Sequence, residues 1–243
     1  MIFTLHIWRQ ENAQAQGGFE KHQIDVSEDT SFLEMLDALN EELIEQDKEA
    51  IAFDFDCREG ICGSCNLVIS GTPHGKHKGT TTCQQYMRDY ADEKELWIEP
   101  WRATAFPIIK DLIVDRTSFD NIIQAGGYIE IRTGSASEAN TIPIEKHVSD
   151  AAFDSATCIG CGACVAACPN ASATLFVAAK VTHLSTLPQG EMDKQRAEKL
   201  LTAMEEEGFG SCSNYRECER VCPKEISVNT ITTMNKLLYE SSK

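Results

Sequence analysis

No run of about 18 apolar residues, the length a membrane-spanning helix needs, occurs in this chain. The nearest stretch, Ala171–Val181, is interrupted by Ser172, Thr174 and Lys180. The first ten residues include His6, Arg9 and Gln10 and lack the apolar centre of an export signal, so no secretory leader is expected. Basic residues are scarce too: 22 Lys and Arg stand against 38 Asp and Glu, a formal net charge of −16. That balance argues against nucleic acid or an anionic membrane surface as direct partners. The acidic runs Glu41–Glu49, Asp89–Glu95 and Glu205–Glu207 read first as solvated faces, and second as a field that steers a basic partner. With 42% apolar and 25% charged residues over 243 positions, the chain is globular and long enough for one large or two ordinary domains.

One further absence is the most informative. Cys158, Cys161, Cys164 and Cys168-Pro169 read C-x2-C-x2-C-x3-C-P, the bacterial ferredoxin spacing for iron–sulfur ligands. Cys212, Cys218 and Cys222-Pro223 repeat that frame with one member missing, because position 215 is Tyr215. In two-cluster ferredoxins the fourth cysteine of each run serves the other cluster. Crossing the runs assigns Cys158, Cys161, Cys164 and Cys222 to a [4Fe–4S] cluster. Cys168, Cys212 and Cys218 remain, three thiolates that suit a [3Fe–4S] cluster. A cubane completed there by an oxygen ligand or an incoming thiol is the alternative.

Cys57, Cys62 and Cys65 read C-x4-C-x2-C and are followed by Cys83, the plant-type [2Fe–2S] spacing. The three groups use all eleven cysteines. Thiolates are soft ligands that select such clusters over hard cations. Gly60, Gly63, Gly160 and Gly162 let backbone approach a cluster and turn N–H groups toward its sulfurs. Ile61, Ile159, Val165 and Val221 are placed to exclude water. Zinc knuckles pair C-x2-C units differently, and disulfides belong to oxidising compartments, so a reducing compartment is expected. His74 and His77 lie before Cys83, but the Cys-x-His pairs of a histidine-ligated site are absent. Both are read as surface-loop histidines, and His183 as a packed or hydrogen-bonded residue.

Residues 1–105 are expected to form a sheet with one helix. Ile2–Arg9 alternates with Phe3, Leu5 and Ile7 on one face, and Phe19–Val26 follows a Gly17-Gly18 turn. Ser31 is a cap for a helix bearing Phe32, Leu36, Leu39 and Leu43. Strands are expected at Asn66–Ser70 and Glu95–Glu99. Residues 106–145, with Pro107, Gly126-Gly127 and the polar patch Thr133–Asn140, read as a connector outside any core. Residues 146–243 read as helical, with amphipathic segments at Lys194–Glu207 and Ser227–Tyr239. The expected class is α+β: an N-terminal β-grasp, plant-type ferredoxin-like domain and a C-terminal all-α ferredoxin-like domain.

The order of these motifs resembles the iron–sulfur subunit of succinate dehydrogenase and fumarate reductase over nearly the whole chain. The carriers are CREGICGSC (Cys57 to Cys65), FPIIKDLIVDR (Phe106 to Arg116), CIGCGACVAACP (Cys158 to Pro169) and C-x5-C-x3-C-P-K (Cys212 to Lys224). The resemblance implies the middle subunit of a membrane-attached complex, with no catalytic acid or base of its own. It implies a flavoprotein subunit with covalent FAD, a cytochrome b-type anchor with or without haem b, and a nearby quinone. It further implies a place on the cytoplasmic face of a prokaryotic inner membrane, held there through partner subunits. Many family members carry an aromatic after the first Cys-Pro and a histidine after the first cysteine of the last run, both near the quinone. Here Asn170 and Ser213 stand there, so the resemblance carries no quinone pocket onto these positions. The other readings are a thiol-linked fumarate reductase subunit, whose relatives append further cysteine-rich sequence, and a free soluble ferredoxin-like carrier.

Overall fold

The computed structural model describes residues 1–129, 138, 140–141, 144–187 and 190–240. Most of the polar patch Thr133–Asn140 lies outside the described residues. The strands are β1 (Ile2–Arg9), β2 (Gly18–Asp25), β3 (Val68–Ile69), β4 (Thr72–Pro73), β5 (Glu95–Glu99), β6 (Ile108–Lys110) and β7 (Ile113–Val114). The α-helices are α1 (Phe32–Glu45), α2 (Thr117–Gln124), α3 (Lys146–Ala156), α4 (Ala163–Ala167), α5 (Thr174–Thr186), α6 (Lys194–Glu206), α7 (Glu217–Arg220) and α8 (Asn229–Glu240).

β1 alternates because one face is buried: Phe3, Leu5 and Ile7 are each 0% exposed. Burying such side chains contributes about 1.5–3 kcal/mol apiece before chain entropy is counted. β1 pairs antiparallel with β2 and parallel with β5, and β3 and β4 complete the sheet order β2-β1-β5-β3-β4. The apolar side of α1 (Phe32, Leu36, Leu39, Leu43) joins the same core as β1. Its start is fixed by a capping box: Ser31 Oγ accepts from Glu34 N, and Glu34 Oε2 accepts from Ser31 N at 2.7 Å. The expected strand at Asn66–Ser70 shrinks to two residues, because Asn66 N–H turns back to Ser64 O.

Within the stretch expected to lie outside any core, residues 106–122 do the opposite, and Trp101 just before them joins in. Trp101, Phe106, Val114, Phe119 and Ile122 are buried with Ala163, Val165, Phe176 and Val177 in the second core. The rings of Phe119 and Phe176 stack 3.9 Å apart. The tip between β6 and β7 reaches back to the first core. Asp111, in left-handed backbone at φ 47°, is buried there. Its carboxylate accepts from Arg9 Nε, Gln10 N and Ala52 N at 3.0–3.2 Å. Segment 101–128 therefore ties the sheet to the helices.

α5 is the most buried helix, and α3, α6 and α8 pack around it. α6 and α8 form where the periodicity places them, with Leu200, Met204 and Met234 buried. The whole is α+β. Among the described residues no helix is long and apolar enough to cross a membrane.

Candidate iron–sulfur sites

The loop from Cys57 to Cys65 wraps its N–H groups around sulfur. Cys57 Sγ accepts from Glu59 N, Ile61 N and Cys62 N at 3.3–3.4 Å, and Cys62 Sγ accepts from Ser64 N. Three backbone donors aimed at one sulfur favour its thiolate, holding Cys57 down to about 7. Left-handed backbone at Arg58, Gly60 and Gly63 makes this curl possible. Cys83 arrives from the single 3-10 turn Thr82–Gln84. Its sulfur accepts from Gly60 N and pairs with Thr81 Oγ1 at 3.1 Å. The neighbouring Cys65 thiol, then Thr81 and Gly60, lower Cys83 to about 5, while Cys65 itself is driven upward. The four thiols expected as one set are thus brought together by one loop and one turn. Ile61 at 60% and Phe55 at 48% exposure flank that loop on the surface.

Two hollows border the remaining seven cysteines. One is lined by Cys158, Cys161, Cys164 and Cys222 together with Phe119, Leu175, Phe176 and Ile226. The other is lined by Cys168, Cys212 and Cys218 with Tyr215, Leu175 and Val228. The two hollows divide these thiols in the same way as crossing the two runs does. The cause is local: the short helix α4 carries Cys164 near its start and leads to Cys168, and α7 carries Cys218 and leads to Cys222. The two helices pack against each other. Each run thereby sends cysteines to both spaces, and Leu175 on α5 walls one from the other. Among the described residues no three His, Cys, Asp or Glu side chains are placed to hold a single metal ion.

The first of these spaces is apolar. Burial pushes Cys161 up to about 12 and Cys164, Cys158 and Cys222 upward as well. Burial also raises Cys218 to about 11. Such thiols deprotonate only against a strong positive partner such as iron. Ile226 N donates to Cys222 Sγ and Asn214 N to Cys212 Sγ, each at 3.4 Å. The residues present therefore fit clusters: grouped thiols, N–H groups aimed at sulfur and largely apolar walls.

Other expectations fare differently. His77 is a surface residue paired with Asp89 at 3.2 Å. His74 is not: it is 1% exposed, its ring stands edge-on to Trp101 at 5.2 Å, and desolvation lowers its pKa to about 3. The polar loop around it concealed a contact made by a distant aromatic. His183 is half-buried on α5, and desolvation lowers its pKa. Asn170 and Ser213 bond to each other, Asn170 Nδ2 donating to Ser213 Oγ and to Ser211 O at 2.8 Å.

Sequence reasoning found no role for Arg116 or Trp101. Arg116 Nη1 donates to Gly63 O and Gly160 O, each at 2.9 Å, and Trp101 Nε1 donates to Cys161 O at 2.9 Å. The one available signal was the position of Arg116 at the end of FPIIKDLIVDR.

Known proteins carry the same signature. Residues 4–121 match the 2Fe-2S iron-sulfur cluster binding domain, and residues 154–226 match the 4Fe-4S dicluster domain. The succinate dehydrogenase iron-sulfur subunit of Bacillus subtilis is 30% identical over 194 residues, which cover 76% of this chain and 71% of that one. The fumarate reductase iron-sulfur subunit of Escherichia coli O6:H1 is 28% identical over 218 residues, 88% of this chain and 82% of that one. In fold, the chain matches a chain of the Mycobacterium smegmatis Sdh1 complex in the apo form. The TM-score is 0.72 over 99% of this chain and 97% of that one, at 19% identity. With cysteine runs, thiol-lined spaces and relatives in agreement, the chain belongs to the family of succinate dehydrogenase and fumarate reductase iron–sulfur subunits.

Proposed function

We propose that this chain conducts electrons between an FAD-bearing flavoprotein subunit that interconverts succinate and fumarate and a cytochrome b-type membrane anchor beside a quinone. The observation that carries this reading is the linear order of the thiol sets: the Cys57–Cys65 loop touches the Cys158–Cys161 loop, and Leu175 alone lines both helical-side spaces. In this reading Cys57, Cys62, Cys65 and Cys83 hold a [2Fe–2S] cluster. Cys158, Cys161, Cys164 and Cys222 hold a [4Fe–4S] cluster, and Cys168, Cys212 and Cys218 a [3Fe–4S] cluster. Bound there, the clusters supply one-electron transfer, while the protein sets position and potential.

The chain's own groups do the rest. N–H donors around Cys57 and Cys83 favour the more negative, reduced state of the first site. Phe119, Phe176, Leu175 and Ile226 keep water from the second. Tyr215 stands where a fourth thiolate is missing at the third. The sheet order supports a β-grasp domain over residues 1–105, and the helices support an all-α ferredoxin-like domain over 146–243. Residues 106–145 join them, and Phe106, Val114, Phe119 and Ile122 in that stretch help fill the second core. Exposed Ile61 and Phe55 beside the first loop support a flavoprotein face on the sheet domain, which leaves the helical domain for the anchor. Attachment is then peripheral, through partners, at the cytoplasmic face of a prokaryotic inner membrane.

Replacing Cys57, Cys62 or Cys65 with Ser tests the wiring. The two-iron paramagnetic signal is expected to vanish or alter while the four-iron and three-iron signals persist. Loss of the three-iron signal from those variants would refute the assignment.

A further inference from the structure

Two cysteine loops that are far apart in sequence are pressed together with no side chain between them. Gly63 (φ +72°) faces the second loop so closely that a Cβ there would lie 2.7 Å from Ile159 O and 3.2 Å from Cys161 Cα. Backbone contact of this kind brings carbonyl oxygens of both loops within reach of one donor, and buried carbonyls need one. Arg116 is that donor. One guanidinium nitrogen, Nη1, donates to Gly63 O and Gly160 O at 2.9 Å each, with Cys161 O at 3.5 Å. Its backbone is fixed at the start of α2, where Arg116 O accepts from Phe119 N. The side chain reaches a groove bordered by Cys62 on one side and Cys158 on the other.

We propose that Arg116 is a positioning residue for electron transfer between the [2Fe–2S] and [4Fe–4S] sites, clamping their two loops at contact distance and lending one positive charge to both. The inference rests on the cysteine sets proposed above. The step moves one electron from one site to the other and forms or breaks no bond. What the protein can set is therefore the separation of the loops and the charge around them. A fixed cation stabilises whichever site carries the added negative charge, most strongly where water is excluded. Trp101 braces the junction from the other side, with Nε1 on Cys161 O and its ring on His74. It brings no charge; Lys180 and Asp120 border the same groove, but of its charged groups Arg116 is the one bonded to both loops.

The test compares Arg116→Gln and Arg116→Lys with the unaltered chain in the intact complex. Three quantities are read: the midpoint potentials of the two-iron and four-iron signals, the broadening of the two-iron signal by the reduced four-iron neighbour, and amide hydrogen exchange in residues 60–64 and 158–162. Arg116→Gln is expected to lower both potentials, weaken the broadening and raise exchange in both loops together. Arg116→Lys is expected to keep the potentials near those of the unaltered chain, because the charge remains. It should still raise exchange, because lysine is one atom shorter and its freely rotating ammonium does not hold two N–H bonds in one fixed plane. Reduced cluster content at unchanged potentials would mean a structural role only and would overturn the inference. So would an Arg116→Lys complex with unaltered loop exchange, even if Arg116→Gln failed to assemble. Absence of the two-iron or four-iron signal from the unaltered complex would instead sink the ligand assignment, and this inference with it.

Discussion

Tyr215 borders the space between Cys168, Cys212 and Cys218 and is 56% exposed, with Asn214 and Arg216 beside it in left-handed backbone. A ligand at that position has room to turn inward. Tyr215→Cys is therefore expected to supply a fourth thiolate and convert the three-iron site to a four-iron one. In the oxidised protein the three-iron paramagnetic signal would be lost and the site's potential would fall. Unchanged oxidised spectra would mean that residue 215 does not face the open corner. At Gly63 a side chain has no room at all: Gly63→Ala is expected to destabilise the protein by about 1–3 kcal/mol through left-handed strain alone, with the approach to Ile159 O adding to it. A melting temperature equal to that of the unaltered chain would contradict the contact. Single residues were unevenly legible. The cysteine runs could be recognised because ligand spacing within a run is a local property of the chain. His74 and Arg116 could not, because their surroundings come from Trp101 and from two loops distant in sequence.

Elements were legible where the pattern was local. Ser31, Glu34 and the apolar positions of α1 are all visible in a short window, and the helix starts where Ser31 caps it. Ser31→Ala is expected to cost about 1 kcal/mol, measurable by denaturant unfolding. The capping box also has a pH signature. Hydrogen bonds from Ser31 hold the Glu34 carboxyl below its usual 4.5. A depressed folded-state value means that this stability is complete above the unfolded value and is lost as pH falls through the folded one. Glu34→Gln should flatten the stability profile on the acid side of pH 4.5. An unchanged acid limb would show that the pair contributes nothing. α2 escaped the sequence reading because its cap lies one residue early: Asp115 Oδ1 accepts from Thr117 N at 2.8 Å, and a proline and paired glycines nearby suggest a loop. Burial of Phe119 and Ile122 decides the outcome, a tertiary effect that a short window does not contain.

For the whole molecule, charge and shape agree with a role inside an assembly. The net charge of −16 disfavours nucleic acid and anionic surfaces as partners, and exposed Ile61 and Phe55 flank the first cysteine loop. A larger flavoprotein is expected to co-purify with the native chain, whereas a stable free monomer would favour the soluble-carrier reading. A sheet-side core followed by a helix-side core agrees with the order of the motifs. The way segment 101–128 locks the parts together was not readable there, since it depends on Asp111 reaching Arg9, Gln10 and Ala52. The central claim is that electrons from succinate reach a site with only three thiolates. Electron paramagnetic resonance of the natively purified complex, oxidised and then treated with succinate, tests it most directly. The account predicts a three-iron signal in the oxidised complex that succinate bleaches; a complex without that signal, or with one indifferent to succinate, would contradict it.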